Sequence, residues 1–189
     1  MFCAIELPHA LRERAAAHIE TLRGASQEAR VSWQRADNLH LTLKFLGEIE
    51  RSRAAGLSEA ASRASSQSQT FSLTIEGAGS FPPRGVPRVL WLGVSDSTGA
   101  LARLQNILEA ECSAKGFARE ERPFSPHLTI ARIRAPQGAR TIASSHRAIG
   151  FEAFEFAVTE LTVMRSELRP EGSRYTAISH HRFGEATQI

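Results

Sequence analysis

Cysteine is scarce in this chain of 189 residues: there are two, Cys3 and Cys112. Neither has the close Cys or His spacing of a zinc or redox motif, which excludes a disulfide scaffold and a cysteine-built metal site. Both lie in apolar surroundings and are expected to be buried free thiols in a reducing compartment. Long hydrophobic runs are also missing. No stretch approaches the roughly 18 apolar residues of a membrane-spanning helix. The opening Phe2-Cys3-Ala4-Ile5 is cut short by Glu6 and Pro8 and has no basic leader, so it reads as a first strand rather than a signal peptide. Tyrosine occurs once and tryptophan twice, against ten phenylalanines, and no aromatic-rich RNA-recognition segment is visible. No glycine-rich phosphate loop is present to support ATP-driven chemistry. Basic residues exceed acidic ones only 23 to 20, for a net charge of +3, which permits a polyanionic ligand without demanding one.

The rest is ordinary for a globular protein expected in the cytoplasm, with 42% hydrophobic and 23% charged residues. The length suits one domain or two small lobes. Helical spacing of apolar residues predicts helices from His9 to about Arg23 (ended by Gly24), from Arg51 to about Gln67, and from Thr98 to about Lys115 with Gly116 as its stop. Alternation predicts strands over Phe2–Leu7, Phe71–Ile75, Arg88–Val94, Phe154–Met164 and Tyr175–His180, and Val31–Trp33 is a short extended piece. Gly77–Pro87 and Leu168–Ser173 read as loops, Ala135–Ile149 as a loop with a short helix, and the tail from Gly184 as frayed.

Two further strands carry the chemistry. One is Asn38-Leu39-His40-Leu41-Thr42-Leu43-Lys44-Phe45-Leu46-Gly47; the other is Phe124-Ser125-Pro126-His127-Leu128-Thr129-Ile130-Ala131-Arg132. In the first, Leu39, Leu41, Leu43 and Phe45 alternate with His40, Thr42 and Lys44, so His40 and Thr42 share the face away from the core. His127 and Thr129 share a face by the same parity. Both residues recur after 87 positions, His40 to His127 and Thr42 to Thr129, and the same shift lays Phe2–Leu7 on Val89–Val94. A shift of 86 lays Ser80–Leu92 on Ser166–Ile178, with Arg88 and Arg174 each entering a strand. The offset implies an internal duplication, approximately 1–92 and 89–180, folded as two similar lobes about a pseudo-twofold axis.

Such an axis brings two imidazoles and two hydroxyls to one cleft. Histidine titrates near neutrality, so one copy can act as base while its protonated mate acts as acid. Thr42 and Thr129 can donate hydrogen bonds to nonbridging phosphate oxygens. This set suits hydrolysis of a cyclic phosphodiester: one histidine takes a proton from water and the other protonates the departing sugar oxygen. For a metal, two histidines with no Cys, Asp or Glu in either run are an incomplete ligand set. His9, His18, His146, His180 and His181 have no matching partner and are assigned to helix surfaces or the chain end.

The paired His-x-Thr-x runs resemble the signature of the 2H phosphoesterase superfamily. Their flanks, with Pro87-Arg88-Val89-Leu90-Trp91, Arg165-Ser166-Glu167-Leu168 and Pro170-Glu171-Gly172, are similar to the bacterial and archaeal RNA 2′,3′-cyclic phosphodiesterases, the LigT-like or 2′–5′ RNA ligase family. The likeness runs from about Phe2 to about Tyr175. It implies an α+β fold of two pseudo-symmetric lobes, with antiparallel sheets lining a central cleft and helices outside. It implies hydrolysis of RNA 2′,3′-cyclic phosphate ends to 2′-phosphate ends without metal or cofactor, with His40 as proton donor and His127 as acceptor. Joining of tRNA halves through a 2′–5′ bond, a known family activity, is chemically the reverse. RNA ends, including tRNA fragments, are the implied partners of a monomer. Arg132 matches a position that contacts phosphate in the family, yet strict alternation points it away from His127. Either a bulge near Ala131 re-aims it, or its long side chain reaches round, or it is a surface charge. Its mate under the shift is Phe45, which is expected to pack in the core unless both strands bulge. Two other readings stay open: a related enzyme acting on another small cyclic phosphoester, and a noncatalytic RNA-end binder.

Overall fold

Phe2–Glu6 forms β1, and Pro8 leads straight into α1, His9–Ala25. Leu11, Ala15, Ile19 and Leu22 recur every three or four residues along α1 and are all buried, which is the stripe that docks the helix. The computed structural model describes residues 1–25, 28–169 and 172–184. Pro170 and Glu171 of the family-like stretch, and the tail past Gly184, lie outside the described residues. Gly184 itself is docked: it bridges to Gln69 and exchanges backbone hydrogen bonds with Ser68 and Thr70.

The chain continues through β2 (Val31–Trp33), β3 (His40–Phe45), α2 (Ala54–Ser66), β4 (Phe71–Phe81), β5 (Val89–Ser95) and α3 (Ala100–Ala114). It ends with β6 (His127–Ile133), α4 (Ala139–Ile149), β7 (Phe154–Val158), β8 (Glu160–Arg169) and β9 (Gly172–Arg182). Two antiparallel sheets result, ordered β3-β1-β8-β9 and β2-β6-β5-β4-β7. Helices α2 and α3 pack on each other, α2 also against β8 and β9 and α3 against β3, while α1 packs on α4 and α4 on β4. One contiguous apolar core joins residues of both sheets, among them Ile5 and Leu41 with Leu92 and Leu128. This is the α+β, two-sheet architecture expected above.

The shift of 87 carries β1 to β5 and β3 to β6, and β3 borders β1 as β6 borders β5, although β3 is an edge and β6 is flanked by β2 as well. The strand that completes each sheet is exchanged. β4, from the first half of the chain, pairs beside β5, and β8, from the second half, pairs beside β1. Neither half therefore builds its own sheet alone. The shift of 86 lays β9 on β5, and those two hold different places: β9 is an outer edge, β5 lies between β4 and β6.

Several element boundaries depart from the sequence reading. Phe154–Met164 is not one strand: the chain leaves the five-stranded sheet after Val158 and enters the four-stranded sheet at Glu160. An unbroken extended segment carries no local sign of changing partners, and here the Thr159 carbonyl instead accepts from the Phe183 N–H. Gly77–Phe81 continues β4 rather than opening the loop, because Ala78 to Phe81 pair with Leu92 to Val89 across a register slip at Gly77. Leu168, Arg169, Gly172 and Ser173 pair in the β8–β9 ladder rather than forming a loop. Gly24 stays inside α1 and does not take the positive φ of a helix stop, whereas Gly116, at φ 75°, does so just after α3.

Candidate active site

The register between β1 and β3 slips by one residue: Cys3 lies opposite Lys44 but Ala4 lies opposite Thr42, so Leu43 is an inserted residue. The register between β5 and β6 slips in the same way, with Leu90 opposite Ala131 and Trp91 opposite Thr129, so Ile130 is inserted. Leu43 and Ile130 are separated by the same 87 residues as the histidines. A bulge reverses the alternation beyond it. Leu41 and Leu43 face the core, yet so does Lys44 at 4% exposure, and Phe45 turns outward at 65%. This corrects two expectations: Lys44 leaves the His40 face and Phe45 leaves the core. In β6 the bulge buries Ala131 and turns Arg132 outward, the first of the routes considered for that residue.

All six side chains singled out from the sequence, His40, Thr42, Phe45, His127, Thr129 and Arg132, line one cavity of about 280 Å³. Strands β3 and β6 pack beside each other along it. The two imidazoles are fixed alike. His40 Nδ1 lies 2.7 Å from the Asn38 carbonyl and His127 Nδ1 lies 2.8 Å from the Ser125 carbonyl, two residues back in each case. A carbonyl only accepts, so both rings carry a proton on Nδ1 and keep Nε2 for exchange. Asn38 is itself tied across the cleft, its Nδ2 donating to the Ser173 carbonyl at 2.8 Å.

The walls break this symmetry. Phe2 stacks on His40 with ring centres 4.6 Å apart, and Tyr175 meets it edge-on at 5.1 Å. His127 meets only Phe81 among the described aromatic pairs, edge-on at 5.0 Å. Burial lowers the pKa of His40, opposed by its bond to the Asn38 carbonyl and by the Glu6 carboxylate. Phe2 and Tyr175 were not foreseen as site residues. The pairings Phe2–Phe45 and Glu6–His40 are what set β1 beside the histidine face, and pairing partners are not written in a single strand's pattern.

The remaining histidines need correction. His18 and His146 are not on helix surfaces: they are buried, with His18 Nε2 and His146 Nδ1 3.0 Å apart. Apolar neighbours on α1 and α4 close over them, and His146 Nε2 also bonds the Trp91 carbonyl at 3.0 Å. His180 on β9 sits near Glu6 and Glu160, and among the described residues these three offer ligand atoms within 4.8 Å of one another. His40 and His127 are not part of that group. Both thiols are buried as expected, and burial raises their pKa, that of Cys112 to about 11.

A family model described as the 2′–5′ RNA ligase superfamily matches residues 11–170. The chain belongs to the 2′–5′ RNA ligase superfamily. Among relatives in this superfamily, a protein named RNA 2′,3′-cyclic phosphodiesterase from Methanothermobacter thermautotrophicus is 33% identical over 93% of this chain and 94% of its own. The protein of that name from Escherichia coli is 34% identical over 94% of this chain and 93% of its own. The crystal structure of Escherichia coli LigT complexed with 3′-AMP superposes with a TM-score of 0.73 at 30% identity, covering 99% of this chain and 97% of that one. The LigT structure thus shares this fold across nearly the whole chain.

Proposed function

We propose that the protein hydrolyses the 2′,3′-cyclic phosphodiester end of RNA to a 2′-phosphomonoester, with His40 as proton donor and His127 as proton acceptor. The observation that carries this reading is the pair of imidazoles on one cavity, each with Nδ1 held by a backbone carbonyl and Nε2 kept for exchange. The homologues named above support the same chemistry.

His127 Nε2 takes a proton from water, and the oxygen attacks phosphorus in line with the 3′ oxygen. The P–O3′ bond breaks and O3′ takes the proton from His40 Nε2. The product carries a 2′-phosphate and a free 3′ hydroxyl, while the proton has moved from one imidazole to the other and returns through solvent. In-line displacement needs base and acid on opposite sides of phosphorus, which is what two facing strands supply. Thr42 and Thr129 donate to nonbridging oxygens, and the Arg132 guanidinium offsets the charge that builds on them. Phe45, outward and uncovered, is a stacking surface for the terminal base. The reverse reaction is 2′–5′ joining of RNA ends, tRNA halves included.

The duplicated bulge supports descent of the two lobes, about 1–92 and 89–180, from one repeated unit. One chain supplies both histidines, so the site needs no second copy, in keeping with a monomer. Its buried free thiols suit the reducing cytoplasm. Among the described residues no helix is long and apolar enough to cross a membrane.

The test is the product formed from a nucleoside 2′,3′-cyclic phosphate in EDTA. The expected product is the 2′-monophosphate, with His40→Ala and His127→Ala each slower by about 10²–10⁴-fold. Full activity in His40→Ala, or no turnover of cyclic phosphate by the unaltered protein, overturns the reading. Competing RNA and small cyclic phosphoesters in one assay separates the RNA enzyme from a relative with another substrate.

A further inference from the structure

The four-stranded sheet carries a second group of donor atoms besides those of the histidine cavity. In its ladders Glu6 lies opposite His40, Ala4 opposite Thr162, and Thr162 opposite His180. Glu6 stands two residues after Ala4 and Glu160 two before Thr162, so antiparallel pairing makes them neighbours on one face. Three adjacent strands, β1, β8 and β9, thus turn Glu6, Glu160 and His180 to one point, and their ligand atoms all lie within 4.8 Å of one another.

The hydrogen bonds at that point do not close. His180 Nδ1 lies 3.1 Å from Glu160 Oε1, 3.2 Å from Thr162 Oγ1 and 3.6 Å from Glu6 Oε1. One ring nitrogen has at most one proton for these three oxygens. Glu6 Oε1 is shut off from solvent and, among the described residues, has no hydrogen-bond donor. Among the described residues the ion-pair contacts of both carboxylates are with His180 alone, and neither reaches a lysine or arginine. A desolvated carboxylate oxygen without a donor is costly, and a bound cation offsets that cost. The spacing fits one. Donors about 2.0–2.2 Å from a tetrahedral zinc ion stand about 3.3–3.6 Å apart. The two imidazole–carboxylate distances, 3.1 and 3.6 Å, are close to such an edge.

We infer that Glu6, Glu160 and His180 form a seat for a divalent transition cation of the zinc type, with Thr162 Oγ1 or water as fourth ligand, separate from the hydrolytic site. The imidazole selects such an ion over Mg²⁺ or Ca²⁺, which take oxygen ligands. The His180 side chain is half exposed, which leaves a path for entry. On binding, the cation takes the place of any proton on Nδ1, and that proton goes to solvent. The unfolded chain does not bring three strands to one point, so the cation binds the folded state and stabilises it.

The experiment strips the protein with EDTA, removes the chelator, and titrates with ZnCl₂ by calorimetry; Tm is then read with Zn²⁺ and with Mg²⁺. Saturable Zn²⁺ binding is expected, and Glu160→Gln and His180→Gln should each weaken it by at least the about 10–100-fold that loss of an outer-shell partner costs a metal site. At free Zn²⁺ about a hundredfold above the dissociation constant, Tm should rise by about 5–10 °C. Mg²⁺ at the same concentration should leave Tm in place. Circular dichroism in EDTA shows that the variants are folded, since exposed ion pairs of this kind contribute little to stability. No saturable Zn²⁺ binding, Zn²⁺ held as tightly by either folded variant, or an equal Tm rise with Mg²⁺ overturns the seat, and His180 is then only an ion-pair partner of the two carboxylates. Neither Glu160 nor His180 is among the side chains that line the histidine cavity, so those outcomes leave the hydrolytic reading standing. Failure to turn over cyclic phosphate, in turn, leaves the seat to be decided by the Zn²⁺ titration.

Discussion

Lys44 Nζ lies 2.7 Å from Glu109 Oε2, with only 2% of the lysine side chain exposed. The bulge at Leu43 is what turns this charge inward, and the Ala118 carbonyl accepts a second bond from Nζ at 2.9 Å. Removing one partner of a buried ion pair leaves the other charged in a medium that solvates it poorly. Lys44→Ala is therefore expected to cost about 3–5 kcal/mol in urea unfolding. Lys44→Met together with Glu109→Gln, which removes both charges and keeps volume, should cost much less. Similar losses for both would mean that the charge is not what the site depends on.

The buried imidazole pair makes stability depend on acidity. His146 Nε2 lies 3.0 Å from the Trp91 carbonyl, so it donates there, and His146 Nδ1 must accept from His18 Nε2. Burial, with repulsion from His146 added, lowers the pKa of His18 from 6.5 to about 4, and burial lowers that of His146. Since the folded pKa lies below the unfolded one, the unfolded chain binds more protons between these values. Stability is full above pH 6.5 and declines as pH falls toward 4, by about 3 kcal/mol for His18. Urea midpoints measured across that interval check this, and His18→Gln should flatten the profile. An already flat profile in the unaltered protein would remove the basis for it.

Two histidines and two threonines that recur at one spacing do not by themselves tell the 2′ oxygen from the 3′ oxygen. Phe45 and Arg132 occupy equivalent places after their bulges, one apolar and one cationic, and both line the cavity. They are expected to set which way round the substrate lies. Exchanging them, Phe45→Arg with Arg132→Phe, should shift product from 2′- toward 3′-phosphate. One charged hydrogen bond is worth about 1.5–3 kcal/mol, so the product ratio should move by about 10–100-fold. Phosphorus NMR of the products reads it directly, and an unchanged ratio means that other groups orient the substrate.

Gly79 faces Trp91 across the β4–β5 ladder, and a Cβ there would come within 2.2 Å of the indole. Trp91 packs on Phe81 at 5.2 Å, and Phe81 is the ring that meets His127. Gly79→Ala is expected to cost about 1–3 kcal/mol through overpacking and to lower Tm by several degrees. By displacing Phe81 it should also lower kcat on the cyclic phosphate, at a temperature where the variant is fully folded. A lower Tm with unchanged kcat would confine the effect to packing.

The sequence alone picked out His40, Thr42, His127 and Thr129 as a set that lines one cavity, because a His-Leu-Thr run repeated at one spacing is a pattern of side chains on a period of two, and that period is local. It also determined the existence of α1, α3 and β1, whose apolar spacing is regular, and the stop of α3 at Gly116. What it left undecided depended on partners. Phe45, Lys44 and Arg132 follow one residue after a bulge or more, and a bulge exists only as a mismatch between two strands. The passage of Phe154–Met164 from one sheet to the other, the burial of His18 against His146, and the setting of Phe2 and Tyr175 around His40 are likewise relations between distant segments. Alternation and spacing record which residues share a face; only the packed chain decides what that face meets.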